Sequence, residues 1–447
     1  MKKPKISIAG CGFVGLVSAA AFASKGFEVI ATTINEKEAN IINSGRSPFY
    51  ERGLDEILQK AIELKNLKVI MDNYEAVLNS DLTFISVGTP MREDKSIDLS
   101  FIDKVSRQVG NALIDKKSYH LIIDRSTVLP GTSRNLIAKN LSENSRKTIG
   151  EDFGLCMQPE FLAEGKSVEN TFYPDRIIIG EYDKRSGDTL QDLYKTFYEE
   201  HLNNCPIYRM SLEGAELVKY ANNCFLATKI SFANEFANFA ELIPNVDIKQ
   251  VMEGIGLDYR INSHFFGAGV GFGGSCFSKD INAIKNWASI NGYDSKLLKA
   301  VLDINDNQAI HIVNIAEELN GDLSGKKVTI LGLSFKADTN DMREAPSIRV
   351  VYELLRRNVT NIVGYDPKAN NEAKKFLQDS INYVDTIEEA LKDSECVFIL
   401  TDWEEFKKLT PDFFRNLMKI PTVIDGRKIY SFDDFNEKLH YRTIGRK

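Results

Sequence analysis

The segment KISIAGCGFVGLVSAAAFASKG, Lys5 to Gly26, constrains the fold more than any other stretch of the chain. A short β-branched run ends in Gly10, Gly12 and Gly15, and an apolar, Ala-rich helical pattern starts at once. Glycines at this spacing are common in loops. Placed after a strand and before a helix, they let the backbone turn tightly and approach a pyrophosphate at the helix N-terminus. The stretch also mimics a signal peptide, with a basic head, an uncharged run and an Ala-rich end. The three glycines interrupt that run, and dinucleotide binding explains them better.

At 447 residues the chain is too long for one core and predicts two or three domains. Over roughly the first 195 residues, short apolar runs (FEVIATT, LKVIMD, LTFISVG, HLIIDRS, RIIIGEY) alternate with helical segments, which implies a parallel sheet covered on both faces. From Ser211 to Asn307 the strands give way to 3.6-period segments, with one helix of unusual length. Strand runs return in KKVTILGLSFK, TNIVGYDP, CVFILT and PTVIDGR. The expected fold is α/β: two Rossmann-like doubly wound parallel-sheet domains, 1–203 and 308–447, joined by a helical middle domain, 204–307, with a long central helix.

The net charge of −7 comes from well-mixed acidic and basic residues without a basic stripe, so nucleic acid and anionic membrane are poor partners. No apolar run is long enough to span a bilayer. The six cysteines form no CxxC pair and no ligand cluster with the five histidines, which predicts reduced thiols, a cytoplasmic protein and no metal.

A second motif, GAGVGFGGSCFSKD, runs from Gly267 to Asp280. If a helix begins at Cys276, Lys279 and Asp280 project from its side, and the helix N-terminus and the ammonium favour the thiolate. The plain alternative is a small buried cysteine after a flexible loop. Its pairing with a dinucleotide fold weighs for the first. An alcohol can be oxidised to an aldehyde without a cysteine, but further oxidation needs a carbon that again carries a removable hydride. Thiolate addition provides it as a thiohemiacetal, and the second oxidation leaves a thioester that water cleaves to an acid.

Through GCGFVG, SPFYERGL, FISVGTP, STVLPGT, PEFLAEG, DRIIIG, AELVKYANNCFLA, DYRI, GFGGSCFSKD, LGLSFKADTNDMREAPS, YDP and DGR, in one order over nearly the whole length, the chain resembles the nucleotide-sugar dehydrogenases. Members that oxidise UDP-glucose to UDP-glucuronate with two NAD⁺ are the nearest. The resemblance implies that 1–203 binds the dinucleotide, 204–307 carries the cysteine loop and 308–447 binds the UDP moiety. It implies Cys276 as nucleophile, Thr127 and Asp280 as holders of a proton-transferring water, and Glu160 as the base of thioester hydrolysis with Glu164 beside it. Lys219 and Asn223, at i and i+4 on the long helix, would stabilise oxyanions. Around the cofactor it implies Gly10, Gly12, Phe13, Val14, Gly15, Thr33, Lys37, Gly88, Thr89, Ser126, Thr127, Glu164, Lys279 and Arg343. Around the substrate it implies Phe161, Leu162, Lys219, Asn223, Arg260, Phe265, Phe266, Gly267, Gly269, Gly273, Phe335, Lys336 and Arg427.

Arg260 resembles a residue that reaches a neighbouring subunit's substrate, and the long helix has more apolar residues than one packed face needs; both predict a homodimer or a multiple of it. GDP-mannose 6-dehydrogenase, with a closely similar loop, is the alternative within this chemistry. A non-catalytic dinucleotide-binding sensor is the alternative outside it, and it has no need of Thr127, Glu160, Lys219, Asn223, Cys276 and Asp280 together. The chain departs from the family's usual residues at Arg52, Gln158, Ser278 and above all Thr33. The second strand, FEVIATT, would ordinarily end in Asp or Glu, whose carboxylate bonds the adenosine ribose and repels a 2′-phosphate. Thr33 stands there, with Lys37 only a point charge offset by Glu36 and Glu38. The strand predicts NAD⁺ use with weak discrimination against NADP⁺.

Overall fold

The computed structural model describes residues 3–199, 202 and 205–447, and the expected domain edge at 203/204 and the first two residues of the basic head lie outside them. The chain divides into two compact units, Met1–Asn222 and Asn223–Lys447.

The first unit holds an eight-stranded sheet of β1 (Ile6–Ala9), β2 (Val29–Thr32), β3 (Leu67–Ile70), β4 (Leu82–Ile85), β5 (His120–Asp124), β6 (Phe153–Met157), β7 (Ile177–Glu181) and β8 (Ile207–Ser211), in the order β3-β2-β1-β4-β5-β6-β7-β8. The first six strands are parallel. β7 pairs with β6 antiparallel and with β8 parallel, so the last two strands run against the rest. Continuous apolar strands suit a sheet buried on both faces. Leu16, Phe22, Phe27 and Phe197 pack one face, and Val105, Ile137 and Leu141 the other.

The second unit begins within the 29-residue helix Leu212–Ala240. The helix stops before Pro244, which could not have continued it. Helices Ile248–Gly256, Phe277–Ile290 and Lys296–Asn320 follow, the last running past the expected edge at 307. The remaining chain forms an all-parallel sheet of β9 (Lys327–Leu331), β10 (Asn361–Tyr365), β11 (Asn382–Tyr383), β12 (Cys396–Ile399), β13 (Thr422–Asp425) and β14 (His440–Thr443), in the order β11-β10-β9-β12-β13-β14.

Each sheet reverses its strand order once, between β1 and β4 and between β9 and β12. Both reversals need a backbone without a Cβ. At Gly10, with φ +107°, a Cβ would meet the Ser86 carbonyl oxygen at 2.4 Å; at Gly332, with φ +94°, it would meet the Thr401 Cβ at 2.4 Å. Among the described residues no helix is long and apolar enough to cross a membrane.

Phe22 is 3% exposed and its ring touches those of Phe27, Phe84, Tyr194 and Phe197. Phe22→Ala should therefore destabilise the first unit by about 3–5 kcal/mol, read as a lower urea midpoint with the second unit's transition unmoved.

Candidate active site

The reversal between β1 and β4 opens the crevice where sheets of this kind bind ligands. The helix Phe13–Ser24 starts there from Gly12, with no side-chain cap and no acidic residue in its first turn. A Cβ on Gly12 would meet nothing within 4 Å. The first N–H groups of a helix have no partner within it, so Phe13, Val14 and Gly15 sit where open backbone donors suit a dinucleotide pyrophosphate. The loops after β4 and β5 are stitched into one ledge beside it. Val87 N–H donates to Ser126 Oγ at 3.1 Å, Ser126 Oγ donates to the Val87 carbonyl at 2.8 Å, and Thr89 Oγ1 donates to the Thr127 carbonyl at 2.7 Å. Gly88 lies within this ledge. Thr33 is buried just past β2, and Lys37 is exposed in the first turn of the helix Glu36–Asn43.

After β6 the chain brings Glu160 to Lys219. Lys219 Nζ donates to Glu160 Oε1 and to the Glu160 carbonyl, each at 2.7 Å, and Leu162 N–H donates to Oε2 at 2.7 Å. The two side chains are 9% and 5% exposed. Burial alone would raise the Glu160 carboxyl; the Lys219 ammonium, its hydrogen bond, the Leu162 N–H and the Arg125 charge outweigh it and hold the group below the usual carboxylate range. Phe161 lies under Lys219, with Nζ 5.7 Å from its ring. Glu164 is half-buried in the same loop, which Glu51 braces by accepting Gly165 N–H at 2.7 Å and Ser167 N–H at 2.8 Å.

Three residues around this cluster have no counterpart in the reading of the sequence. Buried Arg125 donates to Gln158 Oε1 and to the Tyr194 hydroxyl, the latter at 3.1 Å; Gln158, a departure from the family's asparagine, thus holds a cation next to Glu160. Glu216, three residues before Lys219, accepts the N–H groups of Gly131 and Ser133 at 2.5 and 2.7 Å and so ties the Thr127 loop to the long helix. Asp124 takes the Ser133 hydroxyl at 3.3 Å. Burial, and then the Glu216 charge, push Asp124 well above its ordinary value. A carboxylate one helical turn from a candidate lysine was the signal available for Glu216.

In the second unit Cys276 is exposed at the N-cap of the helix Phe277–Ile290, while the other five cysteines are buried. The helix expected to begin at this residue does so. Ser275 Oγ lies 3.5 Å from Sγ, and one turn on, Asp280 N–H donates to the Cys276 carbonyl at 2.8 Å. The Asp280 carboxylate is 1% exposed and held from both sides, by Lys279 Nζ at 2.6 Å and Asn223 Nδ2 at 2.7 Å.

The glycine-rich loop is pinned rather than flexible. Gly269 N–H donates to Asn234 Oδ1 at 2.8 Å and its carbonyl accepts Gln308 Nε2 at 3.0 Å; Asn305 bonds both backbone groups of Phe272, at 2.7 and 3.2 Å. Gly273 packs on the Glu344 carbonyl and Phe335, and Lys336 Nζ lies 5.4 Å from the Phe335 ring centre. Arg427 donates to the carbonyls of Leu400 and Phe335 at 2.6 and 3.1 Å. With Phe265, Phe266 and Gly267 it borders a cavity of about 430 Å³. Arg260 pairs with Asp258 on the surface at 2.5 Å, and Arg343 pairs with Asp341 at 2.6 Å while its carbonyl accepts the Gly274 N–H of the glycine loop at 2.9 Å.

Three family profiles match in chain order: the UDP-glucose/GDP-mannose dehydrogenase family NAD binding domain over 4–198, its central domain over 213–307 and its UDP binding domain over 329–432. UDP-glucose 6-dehydrogenase AglM of Haloferax volcanii is 38% identical over 440 residues, covering 98% of this chain and 100% of its own. Among solved structures, a UDP-glucose dehydrogenase from the hyperthermophilic archaeon Pyrobaculum islandicum matches with a TM-score of 0.91 at 37% identity, over 100% of this chain and 98% of that one. A UDP-D-ManNAc dehydrogenase from Pyrococcus horikoshii matches with a TM-score of 0.85 at 27% identity, over 99% of each.

The Glu160 to Lys219 pair carries a signed pH dependence. Its folded carboxyl lies below the ordinary 4.5, so its stabilisation is present above pH 4.5 and is lost as pH falls through the folded value. Lys219→Met leaves a buried carboxylate without its countercharge, and burial then raises that carboxyl instead. The variant should lose about 3–5 kcal/mol at pH 7.5 and less at pH 5, where protonation relieves the stranded charge. Urea unfolding at the two pH values measures both; an equal loss at each would mean that Lys219 does not serve the Glu160 charge.

Proposed function

The chain belongs to the UDP-glucose/GDP-mannose dehydrogenase family, and within it we propose a UDP-glucose 6-dehydrogenase that takes UDP-glucose to UDP-glucuronate in two NAD⁺-dependent oxidations. The observation that carries this reading is an exposed cysteine at a helix N-cap with a buried, doubly held carboxylate one turn behind it. Bound at the carboxyl edge of the first sheet, NAD⁺ supplies the hydride acceptor for each oxidation. Thr127 and Asp280 hold the water that carries away the alcohol proton. Cys276 Sγ then adds to the aldehyde carbon, the carbonyl oxygen taking a proton, and in the resulting tetrahedral thiohemiacetal the hydrogen the carbon already carries can leave as hydride in the second oxidation; its loss, with that of the hydroxyl proton, leaves a thioester on Sγ.

The ammonium of Lys219 and the amide of Asn223 steady the oxyanion that forms at each addition. Glu160, kept ionised by its surroundings, takes a proton from the water that cleaves the thioester, and Sγ is regenerated. Phe335, Lys336 and Arg427 take the UDP moiety, with Phe265, Phe266 and the glycine loop around the sugar phosphates. UDP-glucose is favoured over other nucleotide sugars by the names of the full-length relatives. The UDP-D-ManNAc enzyme shares the fold at lower identity. Six cysteines without a disulfide suit the cytoplasm, where an exposed thiol stays reduced.

A second copy of the chain is the partner this reading adds. Phe225, Phe232, Phe236 and Phe239 recur at 7, 4 and 3 residues along one helix face and are 65%, 41%, 38% and 48% exposed. A face of four exposed phenyl rings is unusual unless another surface covers it. Arg260, directed outward, is then available to the neighbour's substrate.

The deciding assay offers UDP-glucose, GDP-mannose and UDP-ManNAc side by side and counts reduced cofactor. Turnover of UDP-glucose with about two NADH per sugar is expected; one NADH, or preference for another sugar, refutes the assignment. Cys276→Ser should form no net acid, and undiminished UDP-glucuronate would rule out the thioester route. Glu160→Gln should make the thioester and hold it, visible by intact-mass spectrometry as a nucleotide-sugar adduct on Cys276. Sedimentation of Phe232→Lys/Phe236→Glu should give monomers where the wild type gives dimers or multiples of them.

A further inference from the structure

Thr33 occupies the strand-end position from which a carboxylate would ordinarily reach the ribose, yet a carboxylate is present there. The Thr33 hydroxyl donates to Glu38 Oε2 at 3.3 Å and accepts the Asn35 N–H at 3.2 Å. Asn35 in turn caps the helix Glu36–Asn43, its Oδ1 accepting Lys37 N–H at 3.1 Å and Glu38 N–H at 3.4 Å. This chain of bonds folds the first helical turn back over the end of β2. Glu38 is half-buried, whereas its neighbours Glu36 and Lys37 are exposed. Its charge is also felt in the glycine turn after β1: the Cys11 thiol is pushed up to about 12, by burial first and by Glu38 second. The end of β2 and the turn after β1 are the two backbone features that flank an adenosine ribose in a dinucleotide fold.

We propose that Glu38 is the residue that sets cofactor specificity, its carboxylate, positioned by Thr33, accepting the ribose hydroxyls and excluding a 2′-phosphate. The chain thereby discriminates against NADP⁺, in place of the weak discrimination that the strand end alone predicts. Thr33 acts as a positioning residue: its hydroxyl occupies one carboxylate oxygen without neutralising the group. This inference rests on the dinucleotide reading of the first unit.

Calorimetric titration of the full chain with NAD⁺ and with NADP⁺ tests it without turnover. The wild type should bind NAD⁺ at least about thirtyfold more tightly than NADP⁺, and Glu38→Gln should bring the two within about threefold, chiefly by tightening NADP⁺. Thr33→Val, which frees Glu38 to move, should give a ratio between these. Glu36→Gln removes the same charge two residues away and should leave the wild-type ratio intact, separating a placed carboxylate from a general charge effect. Equal affinities in the wild type overturn the proposal, as does an unchanged ratio in Glu38→Gln. Failure of both dinucleotides to bind would instead overturn the cofactor reading on which it stands.

Discussion

The approach of two chain segments with no side chain between them underlies both halves of this protein. Ala9 pairs with Ile85 at the end of β1 and β4, and Leu331 with Ile399 at the end of β9 and β12. Just beyond each pair the backbone must pass where a Cβ would collide, at Gly10 against Ser86 and at Gly332 against Thr401. After Gly10 the next helix begins almost at once at the carboxyl edge, whereas after Gly332 a loop runs on to the helix starting at Pro346. Shifting either segment outward to fit a methyl group would separate adjacent strands by more than the 4.7–4.9 Å or so that their ladder allows. Every candidate ligand-binding loop hangs from one of these two edges or from the helices that follow.

Those loops are held by polar groups that would be poor choices for stability alone. A buried ion pair such as Glu160 and Lys219 contributes little net stability beside a well-packed apolar pair, because desolvating both charges offsets their attraction. The same holds for Asp280, at 1% exposed between Lys279 and Asn223. What such pairs provide is a charge fixed in position. The helix Leu212–Ala240 supplies such groups in each unit: Glu216 and Lys219 bond loops of the first, and Asn223 and Asn234 bond residues of the second. A long helix is suited to this, because its backbone bonds are satisfied internally and its side chains are left to serve their neighbours.

Much of this was legible in the chain because period and spacing are local properties. The strand, glycine turn and helix at Lys5–Gly26, the 29-residue helix and the helix start at Cys276 follow from residues adjacent in sequence. The reversed direction of β7 and β8 was not legible, since an apolar run such as IIIGE reads the same whichever way it is laid. Nor was Glu51, which braces a loop more than a hundred residues away. Glu38 shows the limit most clearly. Counted along the chain it is one of two acids flanking Lys37, and only the turn built by Asn35 and Thr33 separates its position from that of Glu36.

The choice of one thiol among six follows from burial. Cys11, Cys224 and Cys396 are pushed up to about 12 chiefly by desolvation, and burial also raises Cys156 and Cys205. At pH 7 a thiol titrating near 12 is ionised in only about one molecule in 10⁵, so Cys11, Cys224 and Cys396 are poor nucleophiles, and burial works in the same direction at the other two. Cys276 instead stands exposed where a helix begins. Exposure has a chemical cost, because an accessible thiolate is also open to oxidation. Among the six thiols that exposure falls on Cys276 alone. The buried carboxylate of Asp280 one turn on, anchored on Lys279 and Asn223, is fixed independently of the exposed thiol, so the two candidate groups are held by different bonds.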